Sequence, residues 1–346
     1  MSEWKEYKLG DVVSFGNGKE RPKSVGDIPV YGGNGILDYT DTSNYTGETI
    51  VIGRVGAYCG SVFYTNYPIW VSDNALAAKP KIGNDARFLY YYLQSLNLNN
   101  YAEGSSHPLV TQRLLNSIDV VIPSIEVQKR IAGVLSSLDD KIDLLRRENA
   151  TLEALAETLF RYYFIENPNP NWKEGKLGDV AIITAGGDKP KMVSSVRTKE
   201  ASIPIFSNGI ENNGLYGFTD IAKVFNECVT VSARGTIGFV ALRTEPFVPI
   251  VRLITLMPKE PMTSKFLYYW AKFSNINGTG TTQQQLTVPD FKETKLTLPD
   301  CYLITEFTEK VNVFHEKIKF NQQQILTLSA QRDTLLPKLM SNEITI

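Results

Sequence analysis

Metal ligands and disulfide partners are scarce in this 346-residue sequence. Its two histidines, His107 and His315, are too few to build a histidine metal site. The three cysteines, Cys59, Cys228 and Cys301, are odd in number and isolated, without a CxxC pair. We therefore expect no metal site and no disulfide framework.

Long apolar runs are also absent. No segment approaches the roughly 20 consecutive apolar residues that cross a bilayer. The opening residues, MSEWKEYKLGDV, are too charged for a signal peptide. We expect a cytoplasmic protein with no membrane partner.

An excess of either charge is missing as well. The 36 Lys and Arg side chains are balanced by 37 Asp and Glu side chains, which gives a net charge of −1. This balance excludes the uniformly basic coat of proteins that bind nucleic acids indiscriminately. Any contact with DNA must therefore be local.

What the sequence does contain is a tandem repeat. WKEYKLGDV at 4–12 recurs as WKEGKLGDV at 172–180, with eight of nine residues identical. Further on, FLYYYL at 88–93 matches FLYYWA at 266–271, and a VVIP segment matches LTLP. The repeat unit is about half of the chain, far longer than a solenoid repeat. The sequence therefore consists of two copies of one domain plus one helix.

Each copy opens with a globular domain and closes with a long helix. Short β-branched and aromatic runs such as TIVIG and CVTVSA, separated by Gly, Asn and Pro, are typical of strands and turns. We predict an α+β fold with two similar globular α/β domains in pseudo-twofold tandem. The predicted segments are the first domain at 1–123, the first helix at 124–166, the second domain at 167–299, and the second helix with a C-terminal tail at 300–346.

Both closing segments have the heptad spacing of a coiled coil, sustained over about five heptads. The two apolar seams are Ile131, Leu135, Leu138, Ile142, Leu145, Asn149, Leu152, Ala156, Leu159 and Tyr163, and Phe307, Val311, Phe314, Ile318, Asn321, Ile325, Leu328, Arg332, Leu335 and Leu339. A pair of ordinary amphipathic core helices is the alternative, but such patterns usually decay after three or four turns.

The chain order predicts how these helices pair. Only NPNPN at 167–171 separates the first helix from the second domain, so the second helix must run back along the first as an antiparallel coiled coil. Pairing about the midpoints places Asn149 opposite Asn321, a polar layer that costs stability but fixes the register. The same register sets Leu138 against Arg332, which is not a favourable pair, and we expect the head of Arg332 to reach water.

Motifs for nucleotide binding and catalysis are missing. There is no GxxxxGK[ST] phosphate loop, and both GNGKER and GTGTTQ lack the third glycine of GxGxxG. Ser105-Ser106-His107 could supply a nucleophile and a base, but the matching triplet Thr281-Thr282-Gln283 has no base. The matched polar loop is better suited to hydrogen bonding than to catalysis.

These features together resemble the DNA-specificity subunit of type I restriction-modification enzymes. The resemblance covers essentially the whole chain, from the repeated WKxxKLGDV to the closing TLLPKLMSNEI. IPSIEVQKRIAGVLSSLDDKI, at the start of the first helix, is another specific part. The second copy departs from it, reading LPDCYLITEFTEKV at the corresponding place.

The resemblance implies a non-catalytic subunit with two target-recognition domains. Each domain would read one half of an asymmetric bipartite site in double-stranded DNA. The helices would set the spacer and dock two methyltransferase subunits, and through them the restriction (translocase-nuclease) subunits. S-adenosylmethionine, ATP and Mg would then belong to the partner subunits, with no cofactor in this chain.

Two basic loops near the domain starts are candidates for the phosphate backbone. The loop GNGKERPK offers Lys19, Arg21 and Lys23, and GGDKPK offers Lys189 and Lys191. Lysine mostly contacts phosphates rather than base edges. A solvated basic turn is the alternative interpretation.

Readout of bases requires side chains such as Arg, Asn and Gln. Arg54 and Arg234 follow a strand in both copies and are expected to share one task, either a backbone contact or a structural hydrogen bond. Asn74 aligns with Arg252, and such positions that differ between copies are better candidates for specificity. A second set lies in the matched polar loops: Ser105, Ser106 and His107, and Thr281, Thr282, Gln283, Gln284 and Gln285. Buried or merely solvated polar residues remain the alternative for each.

Charge is divided unevenly between the copies. Residues 1–168 hold 16 basic and 20 acidic side chains, a net of −4, and residues 169–346 hold 20 and 17, a net of +3. We expect the isolated chain to bind DNA weakly and with strong salt dependence. A coiled-coil scaffold for proteins and a decoy specificity subunit without its own restriction complex are the alternatives.

Overall fold

The computed structural model describes residues 4–104, 108–274, 276 and 285–346. The chain forms two compact units. Unit 1 comprises Met1–Arg146 and Gln322–Ile346, and unit 2 comprises Arg147–Asn321. Each unit holds one α/β domain and portions of both long helices. No helix in the described ranges has the length and apolar character needed to span a bilayer.

Within residues 4–104 and 108–166, the first copy of the repeat contains nine strands and ends in a long helix. In chain order its elements are β1 (Lys5–Lys8), α1 (Leu9–Val12), β2 (Val13–Asn17), β3 (Ile28–Gly32), β4 (Gly35–Thr40), β5 (Thr49–Gly53), β6 (Val62–Thr65), β7 (Trp70–Val71), β8 (Ala75–Pro80), α2 (Ala86–Ser95), α3 (Gln112–Ser117), β9 (Asp119–Ile122) and α4 (Ile125–Arg161). Helix α4 closes in a π-helical turn, Tyr162–Glu166.

The second copy repeats this order. Its elements are β10 (Lys173–Lys176), α5 (Leu177–Val180), β11 (Ala181–Ala185), β12 (Ile203–Phe206), β13 (Leu215–Thr219), β14 (Cys228–Val231), β15 (Val240–Arg243), β16 (Val248–Pro249), β17 (Ile254–Pro258), α6 (Ser264–Phe273), α7 (Val288–Lys292), β18 (Lys295–Leu298) and α8 (Cys301–Met340).

The two domains have the same sheet topology. Each has a four-stranded antiparallel sheet, in the order β2-β8-β5-β6 in the first domain and β11-β17-β14-β15 in the second. Each also has a three-stranded sheet, β4-β3-β7 or β13-β12-β16, and a two-stranded pair, β1-β9 or β10-β18. The predicted fold class, two similar α/β domains each followed by a long helix, is confirmed.

The repeated LGDV segment folds for a local reason. It forms a single helical turn in both copies, in which the Asp11 carboxylate accepts the Lys8 N–H at 3.1 Å and the Asp179 carboxylate accepts the Lys176 N–H at 3.1 Å. These bonds satisfy donors that a helix start leaves free. The leucine of each turn is fully buried. The strong identity of this segment between the copies thus follows from its structural task.

The long helices run antiparallel within each unit. In unit 1, Ile131 and Leu135 of α4 belong to the same buried core as Leu339 and Met340 of α8. In unit 2, Phe160 near the end of α4 packs on Phe307 near the start of α8, with ring centroids 5.6 Å apart. Every residue of the two predicted seams is buried or half-buried.

The predicted polar layer is present in unit 2. Asn321 is fully buried, and its Nδ2 donates to Asn149 Oδ1 at 2.9 Å and to Glu148 Oε2 at 2.9 Å. Asn321 Oδ1 has no hydrogen-bond partner within the described parts of the chain. The contact between the two asparagines is the one that the predicted register requires.

The unusual start of the second helix also has a structural explanation. In the first copy Gln128 is buried, and its carboxamide accepts the Asp85 N–H at 2.9 Å and donates to the Pro123 carbonyl at 2.9 Å. The corresponding residue of α8 is Ile304, which is fully buried. The second copy therefore has apolar packing where the first copy has side-chain hydrogen bonds, which accounts for the loss of the typical IPSIEVQKRI pattern.

Candidate nucleic-acid interface

In each domain, strand ends from both larger sheets meet at one edge. In the first domain Asn17, at the end of β2, lies opposite Leu76, and Gly53, at the end of β5, lies opposite Ala75. In the second domain the ends of β11 and β14 lie on either side of Ile254 in the same way. We call residues 17–19, 53–55 and 72–75, and their counterparts 185–187, 232–234 and 250–253, the strand-end surface.

Three of the predicted residues of the first domain lie on this surface. The Arg54 N–H donates to the Asn74 carbonyl at 3.0 Å, and the Lys19 N–H donates to the Val71 carbonyl at 3.0 Å. Lys19 and Asn74 are exposed. Arg54 is half-buried, and its Nε is buried without a hydrogen-bond partner among the residues described. The Arg54 guanidinium therefore has hydrogen-bonding capacity that the described residues do not use at this nitrogen.

Arg21 and Lys23 do not reach the strand-end surface. The Arg21 guanidinium lies 3.6 Å from the Asp38 carboxylate, halfway along β4. The next segment crosses to the far end of β4, where the Ser24 hydroxyl donates to Asp41 at 2.6 Å. The basic loop therefore leads away from the surface, and only its first lysine stays close to it.

In the second domain the surface carries a different set of side chains. Arg234 Nη2 donates to Gln285 Oε1 at 3.1 Å. Arg252 is exposed and adopts a left-handed conformation with φ of 62°. Lys189 follows the surface by two residues, and its Nζ lies 5.7 Å from the ring centroid of Tyr216 on β13. Lys191 is exposed as well.

The hydrogen-bond pattern corrects one alignment between the copies. The Val110 N–H donates to the Arg54 carbonyl at 3.0 Å, and the Leu286 N–H donates to the Ala233 carbonyl at 3.0 Å. Arg54 therefore corresponds to Ala233, and Arg234 lies one position later. The expectation that the two arginines occupy one equivalent position is wrong, and the task that they share stays a prediction. The loop that follows this position, up to Gly60 or Gly238, is one residue shorter in the second copy. Each arginine has one glycine neighbour, Gly53 before Arg54 and Gly235 after Arg234, so residue identity alone misplaced the gap.

The alignment of Asn74 with Arg252 agrees with the structure. The Gly18 N–H donates to the Ala75 carbonyl at 3.2 Å, and the Gly186 N–H donates to the Leu253 carbonyl at 2.8 Å. The residues before Ala75 and Leu253 are therefore equivalent.

The remaining predicted site residues lie outside the described residues: Ser105, Ser106, His107, Thr281, Thr282, Gln283 and Gln284. The segments that follow them are described and equivalent. Thr111 caps α3 by accepting the Leu114 N–H at 3.1 Å, and Thr287 caps α7 by accepting the Asp290 N–H at 3.3 Å. The roles of the two polar loops stay predictions.

Each domain is tied to its portions of the long helices through a tyrosine of α2 or α6. In unit 1 the Tyr91 hydroxyl donates to Asp139 at 2.6 Å, and the Arg332 guanidinium binds the same carboxylate at 2.7 Å. Burial, then the hydrogen bond to Asp139, raises the pKa of Tyr91. Arg332 thus finds an acid beside Leu138, and its guanidinium is only partly exposed.

In unit 2 the equivalent tyrosine has a different partner. The Tyr269 hydroxyl lies 3.0 Å from His315 Nε2, and the Glu153 carboxylate accepts hydrogen bonds from Tyr268 at 3.0 Å and Lys272 at 2.8 Å. Burial lowers the pKa of His315, although the Glu153 charge opposes that shift. Burial would raise the pKa of Glu153, but the hydrogen bonds from Lys272 and Tyr268 and the charge of Lys272 together outweigh burial and lower this pKa. Sequence reasoning missed these ties because they join distant segments.

Comparison with known proteins identifies the repeated unit. The model of the type I restriction modification DNA specificity domain matches the chain twice, over residues 1–154 and 169–329. The chain belongs to the type I restriction-modification DNA-specificity family. Each match to this family covers one α/β domain and part of the helix that follows, as the resemblance of the sequence predicted.

Members of this family from several organisms resemble the chain along its length. A Mycoplasma pneumoniae protein named as a candidate type I specificity subunit is 29% identical over 309 residues, covering 85% of this chain and 84% of its own. The MjaIX specificity subunit of Methanocaldococcus jannaschii is 23% identical, covering 99% and 94%. The crystal structure of a type I S subunit from M. genitalium has the same fold, with a TM-score of 0.68 at 20% identity over 98% of this chain and 96% of that one.

Proposed function

We propose that the chain is the non-catalytic subunit that gives a type I restriction-modification complex its DNA sequence specificity. Each domain reads one half of a bipartite site in double-stranded DNA. The observation that carries this proposal is that the two domains share every strand pairing yet differ in the polar side chains at equivalent strand ends, such as Asn74 and Arg252. Because different side chains on the same fold recognise different half-sites, the full site is asymmetric.

The chemistry of the strand-end surface supports this reading. Arginine donates bidentately to guanine, and asparagine or glutamine pairs bidentately with adenine, whereas lysine mainly holds phosphates. We assign Arg252 and Gln285 to base edges in the second half-site and Asn74 with Arg54 to the first. Lys19 and Lys189 are assigned to the backbone of the duplex, and Lys191 to the flanking phosphates.

The helix pair has the second task in this proposal. Two sites read from one face of a DNA duplex are about 34 Å apart for each intervening turn. We propose that α4 and α8 set this spacer and dock two methyltransferase subunits, through which the restriction subunits join. S-adenosylmethionine, ATP and Mg are assigned to those partners, and the proposed DNA target places the complex in the cytoplasm.

A protein-interaction scaffold is the competing function. Such a scaffold would expose apolar side chains where partners bind. The strand-end surface exposes Val55 and Val251, but most of its exposed side chains are polar or charged, among them Lys19, Asn74, Arg234 and Arg252. These side chains favour a polyanionic ligand with hydrogen-bonding edges, which DNA provides.

Mapping of N6-methyladenine tests the proposal. Cells express the chain together with a methyltransferase subunit encoded beside it, either as wild type or with Gln283, Gln284 and Gln285 replaced by Ala. We expect a split asymmetric motif in wild-type cells and a relaxed or lost second half in the triple variant. Lys295→Ala is the matched control, because Lys295 is exposed on β18, away from the strand-end surface. An assembled, soluble complex that methylates no motif would identify a decoy or a scaffold.

A further inference from the structure

One asparagine of the second domain makes two backbone hydrogen bonds at the strand-end surface. Asn208 lies in the loop after β12, half-buried. Its Nδ2 donates to the Val251 carbonyl at 2.7 Å, and its Oδ1 accepts the Ala233 N–H at 2.7 Å. The carboxamide thus joins the end of β14 to the turn that carries Arg252.

The first domain makes this junction without a side chain. There the Arg54 N–H donates directly to the Asn74 carbonyl at 3.0 Å. The residue equivalent to Asn208 is Gly33. The Ser72 N–H donates to the carbonyl of Tyr31, two residues before Gly33. The Ile250 N–H donates to the carbonyl of Phe206, two residues before Asn208. A Cβ at Gly33 would lie only 3.6 Å from the Asn74 carbonyl oxygen. In the second domain the Asn208 carboxamide therefore accepts the N–H equivalent to that of Arg54, and it donates to the carbonyl of Val251, the residue before Arg252.

Asn208 bonds to a strained turn. Val251 and Arg252 both have positive φ, 52° and 62°. The left-handed region is unfavourable for residues with a side chain, and most of all for a β-branched one such as valine. The Val251 side chain is 50% exposed, so burial does not hold it there.

Backbone bonds hold the turn instead. The Val251 N–H donates to the Gly187 carbonyl at 2.9 Å and the Arg252 N–H to the Gly186 carbonyl at 2.9 Å. Asn208 supplies the bond to the Val251 carbonyl. Strain of this kind persists only where the surroundings enforce it, and it concentrates at functional sites.

We propose that Asn208 is a positioning residue for DNA readout, which holds the left-handed turn so that Arg252 contacts a guanine in the second half-site. This inference rests on the proposed function and adds to it the residue that sets the specificity of one position. Arg252 is exposed on the same strand-end surface as Arg234, whose guanidinium donates to Gln285. An arginine pairs bidentately with guanine O6 and N7. Asn208 itself contacts no base in this proposal.

The test compares methylation motifs of complete complexes in cells. The variants are Arg252→Ala, Asn208→Asp, which keeps the shape but loses the Nδ2 donor, and Asn208→Gly, which restores the residue of the first domain. We expect each to relax the same single guanine position, with discrimination against the other bases falling about 10- to 100-fold. The first half-site stays unchanged, and the double variant Asn208→Asp with Arg252→Ala relaxes no further position.

Asn44→Asp is the matched control. The Asn44 carboxamide also makes two backbone bonds, accepting the Val71 N–H at 2.7 Å and donating to the Val71 carbonyl at 2.9 Å, but in the first domain. Its replacement weakens packing comparably and leaves the second half-site unchanged if Asn208 acts through Arg252.

Two results would overturn the inference. One is a wild-type second half-site in Arg252→Ala, whose exposed side chain can be removed without loss of the fold. The other is relaxation by Asn208→Asp or Asn208→Gly at a position that Arg252→Ala does not affect. Both differ from failure of the proposed function, in which wild-type cells themselves show no split motif.

Discussion

At the scale of single residues, Arg332 illustrates how a charged group is accommodated on an apolar seam. Its position opposite Leu138 is unfavourable by pattern alone. In the structure its guanidinium reaches the neighbouring Asp139, which also accepts the Tyr91 hydroxyl. The heptad pattern places Arg332 on the seam but does not identify Asp139 as its ion-pair partner. That pairing depends on the conformations of both side chains, which the pattern does not specify.

Removal of the Asp139 charge is expected to destabilise unit 1. Asp139→Asn leaves the half-buried Arg332 guanidinium with only the exposed Asp333 as an ionic partner, which costs about 1 to 3 kcal/mol in the free energy of unfolding. Asp143→Asn is the control, because its ion pair with Arg146 is exposed and contributes under about 0.5 kcal/mol. Urea unfolding of both variants measures the difference, and equal losses would contradict the assigned role of Asp139.

The misplaced Arg54 alignment marks a limit of sequence comparison at the same scale. Strand pairing fixes the register as far as Gly53 and Ser232, and the loop that follows absorbs the missing residue. Alignment by residue identity paired the two arginines, whereas the backbone hydrogen bonds show that Arg54 is equivalent to Ala233. Asn208 gave no signal in the sequence either, because its counterpart is Gly33.

At the scale of elements, the two long helices were the most predictable part of the molecule. One apolar face repeated over about five heptads has a single efficient way of being buried, so the seam follows from the pattern. The polar layer followed from the register. The strand order of the sheets did not follow, because pairing between distant strands depends on closure of loops that differ between the copies.

A disulfide tests the predicted register of the seam. With Cys301→Ser as background, Leu145→Cys and Ile325→Cys face each other across the helices of unit 1 and are expected to cross-link under oxidation. Leu144→Cys with Leu326→Cys is the control, with a similar sequence separation but with residues that are 50% and 64% exposed. Mobility on a non-reducing gel distinguishes the pairs, and cross-linking of the control alone would refute the register.

The contact between α6 and His315 predicts a dependence of stability on pH. Because burial lowers the pKa of His315, the unfolded chain takes up its proton at a higher pH than the folded chain. Stability of unit 2 is therefore fully present above the ordinary histidine pKa of about 6.5 and falls as the pH drops through it. The lowered pKa of Glu153 acts separately, since its contribution is lost only below the ordinary value of 4.5.

Replacement of His315 by Gln should remove this dependence. We expect the thermal midpoint of the wild type to fall between pH 7.5 and 5.5 by more than that of His315→Gln, which has no proton to gain. His107→Gln controls for the other histidine. Parallel losses in the wild type and in His315→Gln would show that other groups cause the effect.

At the scale of the whole molecule, the division of charge bears on DNA affinity. The second half of the chain carries a net charge of +3 and the first half −4. Contacts to phosphates supply the part of the affinity that salt weakens. The doubling of the domain, its helices and this charge division could all be read from the sequence, but the convergence of distant segments at the strand-end surface could not.

The isolated chain is expected to bind duplex DNA weakly, with an affinity that falls steeply between 50 and 200 mM salt. Loss of both phosphate contacts in Lys189→Ala with Lys191→Ala should reduce the slope of log affinity against log salt by about 2. Lys295→Ala, remote from the surface, should leave the slope unchanged. Fluorescence anisotropy at several salt concentrations measures these slopes, and tight binding by the isolated chain at physiological salt would contradict the expectation.

Unit 1 is built from two separate segments of the chain, and this affects the order in which the two units can fold during synthesis. Its core joins Ile131 and Leu135 to Leu339 and Met340, which are made only after the whole of unit 2. Domains generally finish folding in the order of their synthesis. Here unit 1, whose α/β domain is synthesised first, cannot complete its apolar core until α8 has been made. Unit 2 is therefore the first of the two to have its whole sequence available for folding.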